Sequence, residues 1–262
     1  MSEQVLLQGE STAVTIYEPA SYKADAILIH GFTGSKEDFD YMAPLLAERG
    51  YRTFTFDNRG AHESAHTTRP GAYTVDSMAQ DVLELSAHYG LSKPHLFGHS
   101  LGGVIAQRVA SNSADQFASL TLMCSGPSPM PAPKFATTML DTLDGRSMDV
   151  LWREEVEGWY KDHLRFDLMK KRWLASDWRA LISLANELMN FSSLVPQIAG
   201  SGIPTHVLYG ESDDAWPPAM QDQMAHDLGA HLSVIKDAGH CPNEDQPAAT
   251  ADATAHYWDL IQ

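Results

Sequence analysis

Long hydrophobic runs, cysteines and basic charge are all scarce in this sequence of 262 residues. No apolar window of about 18 residues or more occurs, so no membrane-spanning helix is expected. Lys and Arg together number 18 against 34 Asp and Glu, which gives a formal net charge of −16. Because nucleic acids and anionic lipid surfaces attract basic proteins, neither is an expected partner.

Cysteine and export signals are equally sparse. Cys124 and Cys241 are the two cysteines, too few for a disulfide framework. The first residues, Met1 to Gln4, lack the basic segment and apolar run of a secretory signal. We therefore expect a cytoplasmic protein with reduced thiols. The length and the 44% hydrophobic content fit one large α/β domain with an insertion.

Short apolar segments alternate with helical patterns through most of the chain. The predicted strands are Val14–Tyr17, Ala26–Ile29, Thr53–Phe56, His95–Phe97, Leu120–Met123, His206–Tyr209 and Leu232–Ile235. The predicted helices among them are Phe39–Arg49, Ser77–Tyr89 and Gly103–Ala110. This alternation predicts an α/β fold with a mostly parallel sheet covered by helices on both faces.

The alternation stops after Gly126. The next prolines, Pro127, Pro129, Pro131 and Pro133, oppose regular structure. Helical patterns without strands then continue to about residue 202, and residues 127–202 hold 9 of the 18 basic but only 10 of the 34 acidic residues. We therefore predict a core of residues 1–126 and 203–262 and an inserted helical cap, or lid, of residues 127–202.

Two apolar stripes define the predicted cap helices. The first stripe consists of Trp152, Val156, Trp159 and Tyr160, and the second of Trp178, Leu181, Leu184, Ala185 and Leu188, with Asp177 as the N-cap. Four tryptophans and five methionines of this segment are expected to form mainly its own core and its seam with the rest of the domain: Trp152, Trp159, Trp173 and Trp178, and Met130, Met139, Met148, Met169 and Met189.

A Gly-x-Ser-x-Gly motif occupies the turn between a predicted strand and a predicted helix. Gly98 to Gly102 match it, with Ser100 at its centre. Strand, tight turn and helix are the context in which this motif exposes a nucleophilic hydroxyl. The motif by itself is short enough to arise by chance, so its weight depends on partners elsewhere in the chain.

A serine hydroxyl needs a base to take its proton and a carboxylate to orient that base. Two turns downstream, each just past a predicted strand, can supply these groups. The first contains Glu211, Asp213 and Asp214, and the second contains His240. Ligands bind at the carboxyl ends of strands in open α/β sheets, so both turns are well placed.

Taken together, five segments make the sequence resemble the α/β-hydrolase superfamily, especially its small capped esterase, lipase and haloperoxidase-like members. The segments are His30-Gly31-Phe32, Asp57-Asn58-Arg59-Gly60, the Ser100 motif, Gly210-x-x-Asp213-x-x-x-Pro217 and Gly239-His240. The resemblance covers the predicted core and is vague in residues 127–202. It departs from the family at His62, where a second glycine is common.

The resemblance implies a role for each of these segments. Ser100 is the expected nucleophile, His240 the general base and acid, and Asp213 the orienting carboxylate, with Asp214 as its competitor. The backbone N–H groups of Phe32 and Leu101 are the expected oxyanion donors.

The lining of the substrate pocket is expected to come from residues next to these turns. Trp216 and His99 are the predicted substrate-binding residues, and Phe32 and Leu101 also adjoin the catalytic turns. No metal or other cofactor is expected.

His62-Glu63-Ser64-Ala65-His66 matches the H-E-x-x-H motif of zinc peptidases. That chemistry requires both histidines on one face of a helix. Here the segment follows Gly60 in a predicted loop, so a zinc site is the less favoured interpretation.

The leading hypothesis is a cofactor-free serine hydrolase that cleaves a small carboxylic ester through an acyl-enzyme on Ser100. Thioester, lactone, amide, peracid and carbon–carbon bond chemistry remain alternatives within the same fold. Carbon–carbon hydrolases of the family often have Asn where His99 stands. A slow-turnover ligand receptor or signalling protein that keeps the triad is the alternative from another class.

Overall fold

The computed structural model describes residues 2–131 and 147–261, and an eight-stranded sheet forms its centre. The strands are β1 (Glu3–Leu7), β2 (Glu10–Tyr17), β3 (Ala24–Ile29), β4 (Tyr51–Phe56), β5 (His95–His99), β6 (Ser119–Met123), β7 (Thr205–Gly210) and β8 (His231–Ile235). Their order across the sheet is β1-β2-β4-β3-β5-β6-β7-β8. β2 pairs antiparallel with β1 and β4, and the remaining pairs are parallel, which confirms the predicted α/β fold.

Helices follow most of the strands. The α-helices are α1 (Ala43–Glu48), α2 (Val75–His88), α3 (Leu101–Ser113), α4 (Met148–Leu151), α5 (Glu157–Tyr160), α6 (Phe166–Ala175), α7 (Trp178–Asn190), α8 (Val195–Ser201), α9 (Pro218–Leu228), α10 (Pro242–Asp245) and α11 (Pro247–Leu260). Short 3-10 helices span Lys36–Phe39 and Ala114–Gln116. Within the described ranges, none of these helices has the length and apolar character needed to cross a membrane.

The core lies on both faces of the central strands. Ala26 to Ile29 are buried in unbroken succession, as are Leu96 and Phe97 on the neighbouring strand. Successive side chains of a strand point to opposite faces, so an unbroken buried run means that helices cover both. Burial on both faces is also the reason that these strands appear in the sequence as continuous apolar segments.

Strand β1 is the strand that the sequence analysis did not predict. Its side chains alternate, and only Val5 and Leu7 are buried. Gln8 and Gly9 join it to β2 with φ values of 48° and 79°. Two positive φ values suit a tight hairpin whose twist matches that of the strands. Because Gln8 replaces the usual Asn or Asp, the turn signal in the sequence is weak.

The predicted helix Phe39–Arg49 is split in the structure. A 3-10 helix ends at Phe39, and α1 begins only at Ala43. Pro44 lies in the first turn of α1. Proline lacks an N–H group and collides with the preceding turn, so it starts a helix and does not continue one.

The described part of the segment between β6 and β7 is helical, with no strand in residues 147–201. Its small separate core consists of Leu151, Trp152, Val156, Met169, Trp173 and Leu181. Asp177 accepts a hydrogen bond from the Arg179 N–H, the N-cap contact that the sequence predicted. The predicted boundaries of 127–202 stay a prediction, and Pro133 and Met139 lie outside the described residues.

A π-helix changes the first predicted stripe. Residues Trp152–Val156 form it, and the N–H of Glu157 bonds to the carbonyl of Trp152 five residues back. The wider turn keeps Trp152 and Val156 buried but rotates Trp159 outward, where its exposed fraction is 47%. Spacing that assumes 3.6 residues per turn therefore overestimates the burial of Trp159.

Candidate active site

Ser100 lies in a sharp turn between β5 and α3, at the middle of the sheet. Its backbone angles, φ 55° and ψ −118°, are strained for a residue with a side chain. The Ser100 N–H donates to the carbonyl of Met123 at 2.9 Å, which ties the turn to the end of β6. This is the strand–turn–helix context that the motif requires.

Glycines allow the turn to pack this tightly. A Cβ atom built on Gly98 would lie 2.2 Å from the carbonyl oxygen of Gly102. A Cβ atom on Gly102 would lie 2.1 Å from the carbonyl oxygen of Ile29. Both contacts are with backbone atoms, which cannot rotate away, so the glycines bring α3 against β3 and β5.

Gly102→Ala is expected to lower the free energy of unfolding by more than about 3 kcal/mol, because the added methyl overlaps the β3 backbone. Urea unfolding followed by circular dichroism measures the change. Gly200→Ala is the matched control, since nothing lies within 4 Å of its Cβ position and Gly200 is exposed on α8. The control should raise stability by about 0.5–1 kcal/mol. Equal effects of the two substitutions would contradict the packing argument.

Hydrogen bonds connect the three residues that the sequence singled out. His240 Nε2 lies 3.0 Å from Ser100 Oγ, and His240 Nδ1 lies 2.8 Å from Asp213 Oδ1. They come from the ends of β7 and β8 and from the turn after β5, up to 140 residues apart. Asp214, the competing carboxylate, lines a cavity beside Ser100 instead.

Asp213 is held as a carboxylate by its donors. Burial alone would raise its pKa, but hydrogen bonds from His240, the Ala215 N–H and Gln221 hold the pKa below its ordinary value. The Gln221 amide donates to Asp213 Oδ2 at 2.8 Å and to the Trp216 carbonyl at 2.8 Å. Gln221 lies on α9, and no motif in the sequence indicated its contact with Asp213.

His30 fixes the loop that faces Ser100. Its Nε2 accepts from the Asn58 N–H at 2.9 Å, so Nδ1 carries the hydrogen and donates to the Gly31 carbonyl at 2.7 Å. Burial lowers the pKa of His30, which keeps this ring neutral. A Cβ atom on Gly31 would lie 3.2 Å from Cβ of Ser100, so the loop approaches Ser100 closely.

Phe32 and Leu101, the predicted oxyanion donors, belong to the two segments that meet at Ser100. Phe32 follows Gly31 in the loop and lines the cavity beside Ser100. Leu101 is the first residue of α3, where helix geometry leaves the N–H without an intrahelical carbonyl. Their role as donors stays a prediction.

A cavity of about 710 Å³ opens beside Ser100 and His240. Its apolar lining includes Phe32, Met130, Met169 and Ala215. Its polar lining includes Asp38, His99, His163, Arg172, Asn243 and Glu244. Cavities of this size hold small organic ligands.

His99 lines this cavity and also contacts the His240 loop, and its role in substrate binding stays a prediction. Its Nε2 donates to the main-chain carbonyl of His240 at 2.8 Å. Burial lowers the pKa of His99 to about 4, so its ring is neutral near neutral pH. The structure thus gives His99 a structural contact that its motif position alone did not specify.

Trp216 differs from the expectation that it lines the pocket. Its side chain is fully buried, and it is absent from the described residues that line the cavity. The indole N–H donates to the Ser128 carbonyl at 3.0 Å, and the ring fills the space that a Cβ atom on Gly126 would need. A lining role was expected because Trp216 is close to Asp213 in sequence. The ring instead packs against the segment after β6 and does not line the cavity.

The H-E-x-x-H segment forms turns rather than a helix, so its two histidines do not share a helix face. His62 has a φ of 42°, and the His66 ring donates to the Ala175 carbonyl at 2.8 Å. Glu63 bonds to the Lys36 ammonium at 2.9 Å. The zinc-peptidase geometry considered from the sequence is therefore not formed by this segment.

A nucleophile turn of this geometry, with a histidine and a carboxylate at the ends of later strands of one mostly parallel sheet, defines the α/β hydrolases as a class. The profile of the Alpha/beta hydrolase family matches residues 26–253. The chain belongs to that family.

Individual relatives share limited sequence identity with this chain. A protein of Caulobacter segnis with the name carbamate hydrolase RutD is 32% identical over 105 residues, which cover 40% of this chain and 39% of RutD. The chain thus matches about two fifths of the length of that relative. The pyrethroid hydrolase of Sphingobium wenxiniae is 26% identical over 257 residues, 90% of this chain and 88% of the relative.

Among solved structures, an esterase from Thermogutta terrifontis superposes with a TM-score of 0.82 and covers 100% of this chain and 99% of its own. Its sequence identity of 22% shows a shared fold.

Proposed function

We propose that this protein hydrolyses carboxylic esters through an acyl-enzyme on Ser100, with His240 as general base and acid and Asp213 as the orienting carboxylate. The observation that carries the proposal is the continuous hydrogen-bond chain from Asp213 through His240 to Ser100 Oγ, at 2.8 and 3.0 Å, beside a cavity. Geometry of this kind is how serine hydrolases are recognised, whatever their sequence.

Acylation begins when Ser100 Oγ attacks the ester carbonyl carbon. His240 Nε2 takes the hydroxyl proton, and the resulting imidazolium is stabilised by the ionised Asp213. The negative charge of the tetrahedral intermediate falls on the former carbonyl oxygen, where the N–H groups of Phe32 and Leu101 are the proposed donors. Collapse of the intermediate breaks the bond to the alcohol, which takes the proton from His240.

Deacylation repeats these steps with water. His240 removes a proton from a water molecule, the hydroxide attacks the acyl carbon, and Ser100 leaves with the proton returned. The carboxylic acid is then released. Each proton taken by His240 is given back within the same half-reaction.

The apolar part of the cavity lining and the relatives both support an ester substrate. Phe32, Met130, Met169 and Ala215 offer an apolar surface for an acyl chain or an alcohol. The Thermogutta terrifontis protein with the same fold is named an esterase.

A fluorophosphonate probe tests the nucleophile directly. We expect one phosphonyl adduct per chain, located on the peptide that contains Ser100 by mass spectrometry. With a p-nitrophenyl ester, rapid mixing should show a burst of nitrophenol equal to about one per active site. Labelling of a different residue while hydrolysis persists would refute the proposal. A burst followed by negligible turnover would favour the slow receptor.

A further inference from the structure

The cavity beside Ser100 has an acidic wall. Among the described residues that line it, four carry carboxylates and one carries a guanidinium: Asp38, Asp214, Glu244 and Asp245, and Arg172. Arg172 donates to Asp38, and both side chains are about nine-tenths buried, so this pair is neutral within itself. Three carboxylates remain, and a cleft lined by one sign of charge attracts the opposite sign.

Glu244 Oε1 accepts no hydrogen bond from any cation within the described residues. This atom is buried, and no neutral donor among these residues bonds to it either. Arg165 Nη1 and His163 Nε2 approach the Glu244 carboxylate only to 3.7 Å each. The Arg165 hydrogen bonds go instead to the Glu37 carbonyl at 2.7 Å and to Asp40 at 2.6 Å.

Asn243, the preceding residue on α10, is a second acceptor in need of a donor. It is 1% exposed, and its amide nitrogen donates to the Asp38 carbonyl at 2.7 Å. Its Oδ1 atom is buried and accepts nothing from the described part of the chain. Buried acceptors without a donor are uncommon in native proteins and call for an explanation, such as a ligand.

We propose that the substrate cleaved at Ser100 carries a primary ammonium group, whose N–H donors bond to Glu244 and Asn243. The inference rests on the proposed function and names the substrate class of the same site. A primary ammonium brings three donors and one positive charge, which matches two acceptors and an acidic wall. A carboxylate in the same place would face like charges.

The titration of Glu244 agrees with this assignment. Burial, with the nearby Asp38 charge, raises the pKa of Glu244 to about 7 against the opposing effects of Arg172 and Arg165. The site thus holds a carboxylate that a neighbouring cation would stabilise.

Three ethyl esters of equal chain length separate charge from shape. Ethyl 6-aminohexanoate, ethyl heptanoate and monoethyl heptanedioate carry an ammonium, a methyl and a carboxylate on the same five-methylene chain. We expect kcat/KM for the ammonium ester to exceed that of heptanoate by about tenfold or more, with the anionic ester slowest. Ethanol release measures all three. A preference for the anionic ester, or equal rates, would overturn the proposal.

Glu244→Gln keeps the shape and removes the charge. We expect it to lower the ammonium-to-heptanoate ratio of kcat/KM about tenfold. Both values in each ratio are measured with the same variant. Asp252→Asn is the control, because Asp252 is exposed and pairs with Arg49 on the surface. That variant should leave the ratio at the wild-type value. An unchanged ratio in Glu244→Gln would overturn the assignment of Glu244.

The wild-type protein offers a test that needs no variant. Between about pH 6 and pH 8 Glu244 loses its proton, while the substrate ammonium stays charged. The groups that face Glu244 are Asp38, Asp245, Arg165, Arg172 and His163. The ammonium-to-heptanoate ratio should rise with pH, since both esters depend on the same catalytic groups. A ratio that falls would contradict the proposal.

Heptanoate also keeps the two proposals distinguishable. Hydrolysis of heptanoate that depends on Ser100, without any ammonium preference, would overturn the substrate class alone. Loss of the Ser100 dependence would overturn the proposed function itself.

Discussion

Ser100→Ala is expected to reduce kcat for ethyl or p-nitrophenyl esters by about 10⁵–10⁶-fold. In the proposed mechanism the hydroxyl 3.0 Å from His240 Nε2 bonds to the acyl carbon, and alanine offers no nucleophile. Substrate affinity should change little, because the side chain contributes little to the cavity surface. Any residual rate would reflect oxyanion stabilisation and binding of the ester beside water.

Ser125→Ala is the matched control for the loss of a buried serine hydroxyl. Ser125 is fully buried next to Gly103, and its Oγ accepts and donates no hydrogen bond within the described residues. Its removal should change kcat by less than about threefold. If Ser100→Ala retained most of the hydrolysis, the covalent mechanism would be wrong.

Asp213→Asn is expected to lower kcat by about 10⁴-fold while the fold is retained. Three donors point at the carboxylate: His240 Nδ1, the Ala215 N–H and the Gln221 amide. An asparagine has one acceptor oxygen and one NH₂ group, so at least one donor then faces another donor. The negative charge proposed to stabilise the imidazolium is lost as well.

Asp214→Asn is the matched control, since it removes the adjacent carboxylate of the same turn. Asp214 lines the cavity, and the His240 ring contacts Asp213 instead. We expect its effect on heptanoate hydrolysis to stay below about tenfold, measured as kcat by ethanol release. If Asp214→Asn caused the larger loss, Asp214 rather than Asp213 would be the orienting carboxylate.

The sheet could be predicted from the sequence because parallel strands that are buried on both faces consist of continuous apolar segments. Ala26 to Ile29 and His95 to Phe97 are such segments, and the structure confirms both strands. β1 could not be found this way, since an edge strand needs few apolar residues. The break in the predicted helix Phe39–Arg49 follows from Pro44. The prediction relied on the spacing of apolar residues and did not take this proline into account.

Some residues of the candidate site could likewise be placed from the sequence, and others could not. Ser100, Asp213 and His240 each lie within three residues of a glycine in a turn that follows a strand, so short motifs indicated all three. Trp216 adjoins the same turn, yet the structure buries it against the segment after β6. Sequence proximity to a turn does not determine whether an aromatic ring lines the cavity or packs into the protein core.

The sequence by itself determined the α/β alternation, the strained turn at Ser100 and the chain order of serine, carboxylate and histidine. These depend on local requirements, such as glycines at close backbone contacts and apolar runs in buried strands. Only the tertiary structure decided the pairing of Asp38 with Arg172, the contact of Gln221 with Asp213 and the acceptors left open at Asn243 and Glu244. Each joins residues from separate elements, so the contact exists only once the sheet and helices have packed.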